Sequence, residues 1–249
     1  MVSQEMMMAH QGVVSKRQIF GVSNSTAVFV PPWERPVAFE KMLELTGVSC
    51  PRVCYIGAAR GDNPARIEEY YRFFNKLNCN LEHLNMTFPE TDDFEEYFSR
   101  FDLIYIDGGS TKNLLALFKL WKIDSALKSA YENGVVMSGA SAGLICWFQG
   151  CITDSLPSKL KPLPGMGLIN GSATPHCNSR SDRIPVLKQS LNAGLLNFPA
   201  YAVDDGVAVH FVDESFEGAY GLGGSGRLYV FTGEKGAIEE RVVVPEPLR

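Results

Sequence analysis

Gly139-Ala140-Ser141-Ala142-Gly143 follows the apolar run Gly134-Val135-Val136-Met137-Ser138 and precedes the helix-compatible Leu144-Ile145-Cys146-Trp147-Phe148. Small residues on both sides of a serine permit a sharp strand-to-helix turn, which lifts the hydroxyl clear of the backbone as a nucleophile. The amides that open the helix at Ala142 then face an oxyanion that develops during attack. In a chain with 23 glycines the G-x-S-x-G pattern alone is weak, and a tight turn with a capping serine satisfies it too. Its position directly after a strand-like run favours the nucleophile.

A serine nucleophile needs a base, and the chain has four histidines: His10, His83, His176 and His210. His10 lies in a polar N-terminal extension and His83 in a polar strand-like piece. His210 ends the alternation VAVHF, where a satisfied structural histidine fits better. His176 sits in SATPHCNS, a small and polar stretch that follows GMGLING, the kind of strand end from which a loop residue reaches a site. Two acids flank it in sequence and are able to orient its ring: Asp154 in CITDSLP and Asp205 in AVDDG. An Asx turn at Asp154 and a solvated hairpin at Asp204 and Asp205 are the bland alternatives. In Asp107-Gly108-Gly109-Ser110-Thr111, two glycines at a strand end allow backbone N–H groups to approach a bound carbonyl, although a plain strand-to-helix turn has the same composition. Arg180 and Arg183, in CNSRSDRIP, offer guanidinium forks for an acidic group, unless Arg180 is a surface partner of Asp182.

These residues need a scaffold that brings loop ends together. Residues 52–57, 102–107 and 134–139 are short, continuously apolar and end in Gly or a small polar residue, as buried parallel strands do. Residues 63–78 place Ile67, Tyr70, Tyr71, Phe74 and Leu77 on one helical face, with Asn63 and Pro64 suited to the N-cap and first turn. Further helices are expected over 36–46, 92–100, 113–133, 142–149 and 184–197. Alternating strands and helices imply right-handed crossovers and an α/β fold: a mainly parallel sheet covered by helices on both faces. Such sheets bind ligands at the carboxyl ends of their strands. From Ala200 the pattern turns β-rich and Gly-punctuated. With no linker composition between the parts, residues 17–249 are expected to form one domain after an extension at 1–16.

Net charge is −5, and no stretch clusters enough Lys and Arg to neutralise many phosphates, which argues against nucleic acid as a partner. No basic-then-apolar leader and no apolar run of bilayer length is present, so a cytoplasmic location without a membrane partner is expected. Six cysteines without a C-x-x-C pair read as buried reduced thiols. No H-E-x-x-H and no clustered His and Cys spacing calls for a metal, and no cofactor is expected.

In chain order, RVCYIGAARGDNPARIEEYYRFF, IDGGSTKNLL, SGASAGLICWF, TDS, PH and YAVDDGVAVHF together resemble the peptidase E family: aspartyl dipeptidases and cyanophycinase-related serine peptidases. The resemblance covers most of the chain from about residue 17. It implies the class I glutamine amidotransferase-like fold, Ser141 as nucleophile and His176 as base. Gly109 and Ala142 become the oxyanion hole, and Gly108 and Arg180 contact substrate. Asp154 matches one third-member position and is favoured because the T-D-S motif is closer, while Asp205 matches an acid before Gly that would orient the histidine instead. Family members often carry G-G-G-N-T where this chain has Asp107 and Ser110, and a longer loop between the histidine and the arginine. The histidine follows the serine by only 35 residues, which is too close for a general α/β-hydrolase. The implied activity is that of a serine dipeptidase or exopeptidase acting on a small peptide, with a preference for N-terminal Asp. The alternatives are a cyanophycinase-like hydrolase of β-aspartyl-arginine bonds, which would need a polymer cleft, and a non-catalytic domain holding a small anion, against which the presence of both Ser141 and His176 argues. A homodimer is the one assembly kept open.

Overall fold

A computed structural model describes residues 16–31, 33–156 and 159–248. The extension expected at 1–16 lies outside the described residues except for Lys16. Five parallel strands, β1 (Gln18–Val22), β2 (Arg52–Ile56), β3 (Asn80–Leu84), β4 (Leu103–Ile106) and β5 (Val136–Ala140), run in the order β1-β5-β4-β2-β3. Every residue of β4 is buried, as it must be with helices on both faces. Its alternation divides the core. Leu103 and Tyr105 pack with Phe39 of α1 (Val37–Leu45) and with Tyr70 and Phe74 of α2 (Pro64–Phe74). Ile104 and Ile106 face α3 (Phe94–Ser99), α4 (Thr111–Leu120) and α5 (Ile123–Glu132) through Phe98, Phe118 and Leu127. At the start of α2, Asn63 Oδ1 accepts the N–H groups of Ala65 and Arg66 at 3.0 and 3.4 Å, with Pro64 in the first turn.

Residues 113–133 form two helices rather than one. Phe118 and Leu127, about two and a half turns apart, would lie on opposite sides of a continuous helix, yet both belong to the same core. The chain resolves this by breaking at Lys122, whose φ of 57° is left-handed.

The single expected sheet is two. The helix expected over 142–149 ends at Ile145 as the short α6 (Ala142–Ile145), and β6 (Phe148–Thr153) begins almost at once. A short apolar run has no periodicity that separates a buried helix from a buried strand. β6, β7 (Lys161–Pro164), β8 (Ile169–Thr174) and β9 (Ala200–Val203) start a second sheet, and α7 (Arg183–Asn192) packs on it. The β-rich tail is shared between the sheets. β10 (Val207–Val212), β11 (Ser215–Gly221) and β14 (Glu246–Pro247) extend the first sheet beyond β1, while β12 (Leu228–Glu234) and β13 (Ala237–Val243) pair outward from β9.

All six cysteines are free, and Cys50 is exposed and Cys79 half-buried, against the expectation of uniform burial. Among the described residues, no helix is long and apolar enough to cross a membrane.

Candidate active site

Ser141 directly follows β5, with φ 55° and ψ −107°, a left-handed conformation that costs an L-residue on the order of 1–3 kcal/mol. The surrounding structure enforces it. Its N–H donates to Val22 O of β1 at 3.0 Å, and the turn passes so close to β4 that a Cβ at Gly143 would lie 1.9 Å from Ile106 O. The small residues around the serine are therefore a packing requirement.

The second sheet delivers the rest. Just past β8, His176 turns back with φ 60°, and its N–H donates to Ser23 Oγ at 2.9 Å. Its Nε2 lies 2.7 Å from Ser141 Oγ, and its Nδ1 lies 2.6 Å from Asp205 Oδ1, in the connection from β9 to β10. With Nδ1–H donated to the carboxylate, Nε2 is left as the acceptor of the serine proton. Asp205 is fixed in turn, because Ser179 Oγ donates to Oδ2 at 2.6 Å and the Asp205 N–H donates to Asn178 Oδ1 at 2.9 Å. Cys177 is no competing nucleophile: it is buried, and burial pushes its thiol up to about 12.

Asp154, favoured as the orienting acid, is engaged elsewhere. Arg183 Nη2 donates to its Oδ2 at 2.7 Å, and Arg180 Nη1 lies 3.5 Å from the same oxygen. Arg183 is buried and also donates to Ile152 O and Thr174 Oγ1, so Asp154 neutralises a structural guanidinium. No hydrogen bond or ion pair joins it to His176 among the described residues; Asp205 holds that position. Arg180, expected to contact substrate, is exposed, with Nε and Nη2 donating to the two oxygens of Asp182 at 3.2 and 3.0 Å. Its surface pairing is the geometry found.

Gly108 and Gly109 follow the end of β4 beside the serine. A Cβ at Gly108 would meet Ser141 Cβ at 3.1 Å, and one at Gly109, whose φ is 143°, would meet Ala59 O at 2.3 Å. The Gly108 N–H is committed to Asp107 Oδ1 at 2.8 Å. Gly109 N–H has no hydrogen bond among the described residues, and the Ala142 N–H opens α6, where first-turn amides lack an intrahelical partner. Ser110 Oγ accepts the Asn113 N–H and caps α4.

Asp107 is wholly buried and accepts from Ser25 Oγ (3.0 Å), Tyr55 OH (3.1 Å) and Arg66 Nε (2.7 Å) as well. Burial by itself raises its carboxyl, but the Arg66 hydrogen bond and charge, with Arg60, more than offset this and hold it below the ordinary carboxylate range. Ser23, Ser179 and Asn178 escaped the reading of the sequence, although Ser23 carried a usable signal as the polar residue closing the apolar strand QIFGV. No group of three or more His, Cys, Asp or Glu among the described residues is arranged to hold a metal.

Residues 18–218 match peptidase family S51. The chain is 40% identical over 164 residues to the uncharacterized peptidase YgaJ of Bacillus subtilis (strain 168), covering 66% of this chain and 70% of that protein. In fold it is similar to a crystal structure of a peptidase from an acI-B1 Actinobacterium, with TM-score 0.65 and 20% identity over 93% of this chain and 96% of the other. A putative peptidase E protein from Listeria monocytogenes EGD-e is similar too, with TM-score 0.60 and 16% identity over 82% of this chain and 98% of that one.

Proposed function

Because the chain belongs to peptidase family S51 and is a serine-type peptidase, we propose that it is a cytoplasmic dipeptidase or exopeptidase in which Ser141, His176 and Asp205 act as a catalytic triad. The observation that carries this reading is the continuous chain of short contacts, 2.7 Å from Ser141 Oγ to His176 Nε2 and 2.6 Å from His176 Nδ1 to Asp205 Oδ1. Ser141 Oγ attacks the scissile carbonyl carbon as its proton passes to Nε2. Asp205 orients the ring and stabilises the imidazolium. The N–H groups of Gly109 and Ala142 receive the oxyanion, each worth about 3 kcal/mol in the transition state. Collapse breaks the C–N bond, and the leaving amine takes the proton from Nε2. Water, deprotonated by His176, then attacks the acyl ester and releases the acid and the free serine.

A preference for N-terminal Asp is the finer part of this proposal. Arg180 is already met by Asp182 and Asp154, so an acidic substrate group would have to displace them or find another cation. The mechanism is tested by labelling with a serine-directed fluorophosphonate and mapping the adduct by peptide mass. Label on Ser141 that disappears in Ser141→Ala is the expected result; an unlabelled Ser141 in folded protein counts against it.

A further inference from the structure

We propose that Arg60 is the specificity residue of this site, binding a carboxylate of the substrate beside the oxyanion loop; the proposal rests on the peptidase reading above. Arg60 closes the 3₁₀ turn Ala58–Arg60 at the carboxyl end of β2. Its side chain borders the loop: a Cβ on Gly109 would lie 3.1 Å from Arg60 Cγ and 2.3 Å from Ala59 O, and Ser110 N–H donates to Ala59 O at 2.8 Å. Gly108, one residue earlier, packs against Ser141. Contact therefore runs from Ser141 through Gly108 and Gly109 to the stem of Arg60, and the guanidinium, with Nε 3.3 Å from Asp107 Oδ2, lies at the carboxylate that begins this loop.

The charges around it leave Arg60 available. Among the described residues, Asp107 is its one carboxylate partner, with Oδ2 3.3 Å from Nε. That carboxylate is 0% exposed and already receives Arg66, Tyr55, Ser25 and the Gly108 N–H, so it is satisfied without Arg60. Arg66, the other cation of the cluster, is held twice over, by Asp107 and by Glu69 at 3.0 Å, and lies against the Phe29 ring. The Arg60 side chain is 43% exposed, and its terminal nitrogens have no hydrogen bond among the described residues. Asp107 anchors the guanidinium by Nε alone, which leaves the two terminal NH₂ groups to form a fork for an arriving carboxylate. Arg180 is the contrasting case, with three nitrogens facing Asp154 and Asp182.

A short peptide carries that carboxylate either on an acidic N-terminal side chain or at its own C-terminus. Kinetics of Asp-Leu, Asn-Leu and Asp-Leu-amide on wild type, Arg60→Met and Arg60→Lys separate the two. The wild type is expected to favour Asp-Leu by about 10- to 100-fold in kcat/KM over one of the neutralised partners, Asn-Leu if the side chain is bound and the amide if the C-terminus is. Arg60→Met brings that ratio near one through KM, and Arg60→Lys, which keeps the charge but not the fork, retains part of it. Equal rates on all three peptides in the wild type, or an undiminished ratio in Arg60→Met, overturn the assignment. A Lys variant as deficient as Met does the same. Fluorophosphonate labelling of wild-type Ser141 runs beside these assays. Label with unchanged ratios rejects Arg60 alone, and absence of label rejects the peptidase mechanism on which it stands.

Discussion

Asp205 Oδ1 lies 2.6 Å from His176 Nδ1 across the ends of two adjacent parallel strands of the second sheet, β8 and β9. Asp154 leaves the strand on the other side of β8, and so begins equally near. The tie is broken by Arg183, whose buried guanidinium takes Asp154 from below.

Asp205→Asn is expected to lower kcat by about 10⁴ with little change in KM, because the amide no longer fixes the tautomer that leaves Nε2 free. Asp154→Asn keeps kcat within severalfold and instead destabilises the fold by about 1–2 kcal/mol, a buried-pair cost discounted because the Asp154 side chain is 49% exposed. Steady-state kinetics and thermal unfolding of both variants check this. A kcat collapse confined to Asp154→Asn would return the role to that residue.

The strained turn at Ser141 separates activity from stability. Ser141→Ala should abolish hydrolysis and leave the melting temperature nearly unchanged, since alanine suffers the same φ of 55°. Ser141→Gly should be equally inactive but more stable by about 0.5–1 kcal/mol, because glycine occupies that conformation freely. Calorimetry decides, and a Gly variant less stable than the Ala variant contradicts the strain.

How much of this was legible in the chain follows from which contacts are local. The turn at Ser141 is written in consecutive residues, although the packing that requires glycine at 139 and 143 comes largely from the Ile106 carbonyl of β4, a strand distant in sequence. His176 could be picked out by eliminating three other histidines. The acid could not be chosen by position, because Asp154 and Asp205 both end strands next to β8, and that adjacency exists only once the second sheet is assembled. The sheet itself was hidden by the run around Trp147 and Phe148, where burial on all sides erases the periodicity that tells strand from helix. Arg60 lies in the run RVCYIGAARGDNPARIEEYYRFF, but its place beside Gly109 depends on β2 and β4 pairing in the sheet, which no local pattern shows.

Gly109→Ala is expected to lower kcat by about 100-fold, the loss of one oxyanion donor, since a Cβ there would stand 2.3 Å from the Ala59 carbonyl and force the loop to move. Fluorophosphonate labelling of Ser141 should slow in parallel. An Ala variant with wild-type kcat would show that the Gly109 N–H takes no part.

Asp107 gives a pH signature whose sign follows from its depressed carboxyl. Its folded value lies below the ordinary range near 3.9, so the stability it contributes is complete above that value and is lost as pH falls through the folded value. Asp107→Asn removes this contribution and leaves Arg66 without its buried partner, a cost of about 3–5 kcal/mol at neutral pH. The gap between wild type and variant should therefore be widest at pH 6–7 and narrow steadily below about pH 4, where the carboxyl of the unfolded wild-type chain takes up its proton while the folded one still resists. Denaturant unfolding of both proteins across pH 2.5–7 tests this. A gap that stays constant with pH would mean that the Asp107 charge adds nothing to the fold, and that its hydrogen bonds to Gly108, Ser25 and Tyr55 hold the oxyanion loop without it.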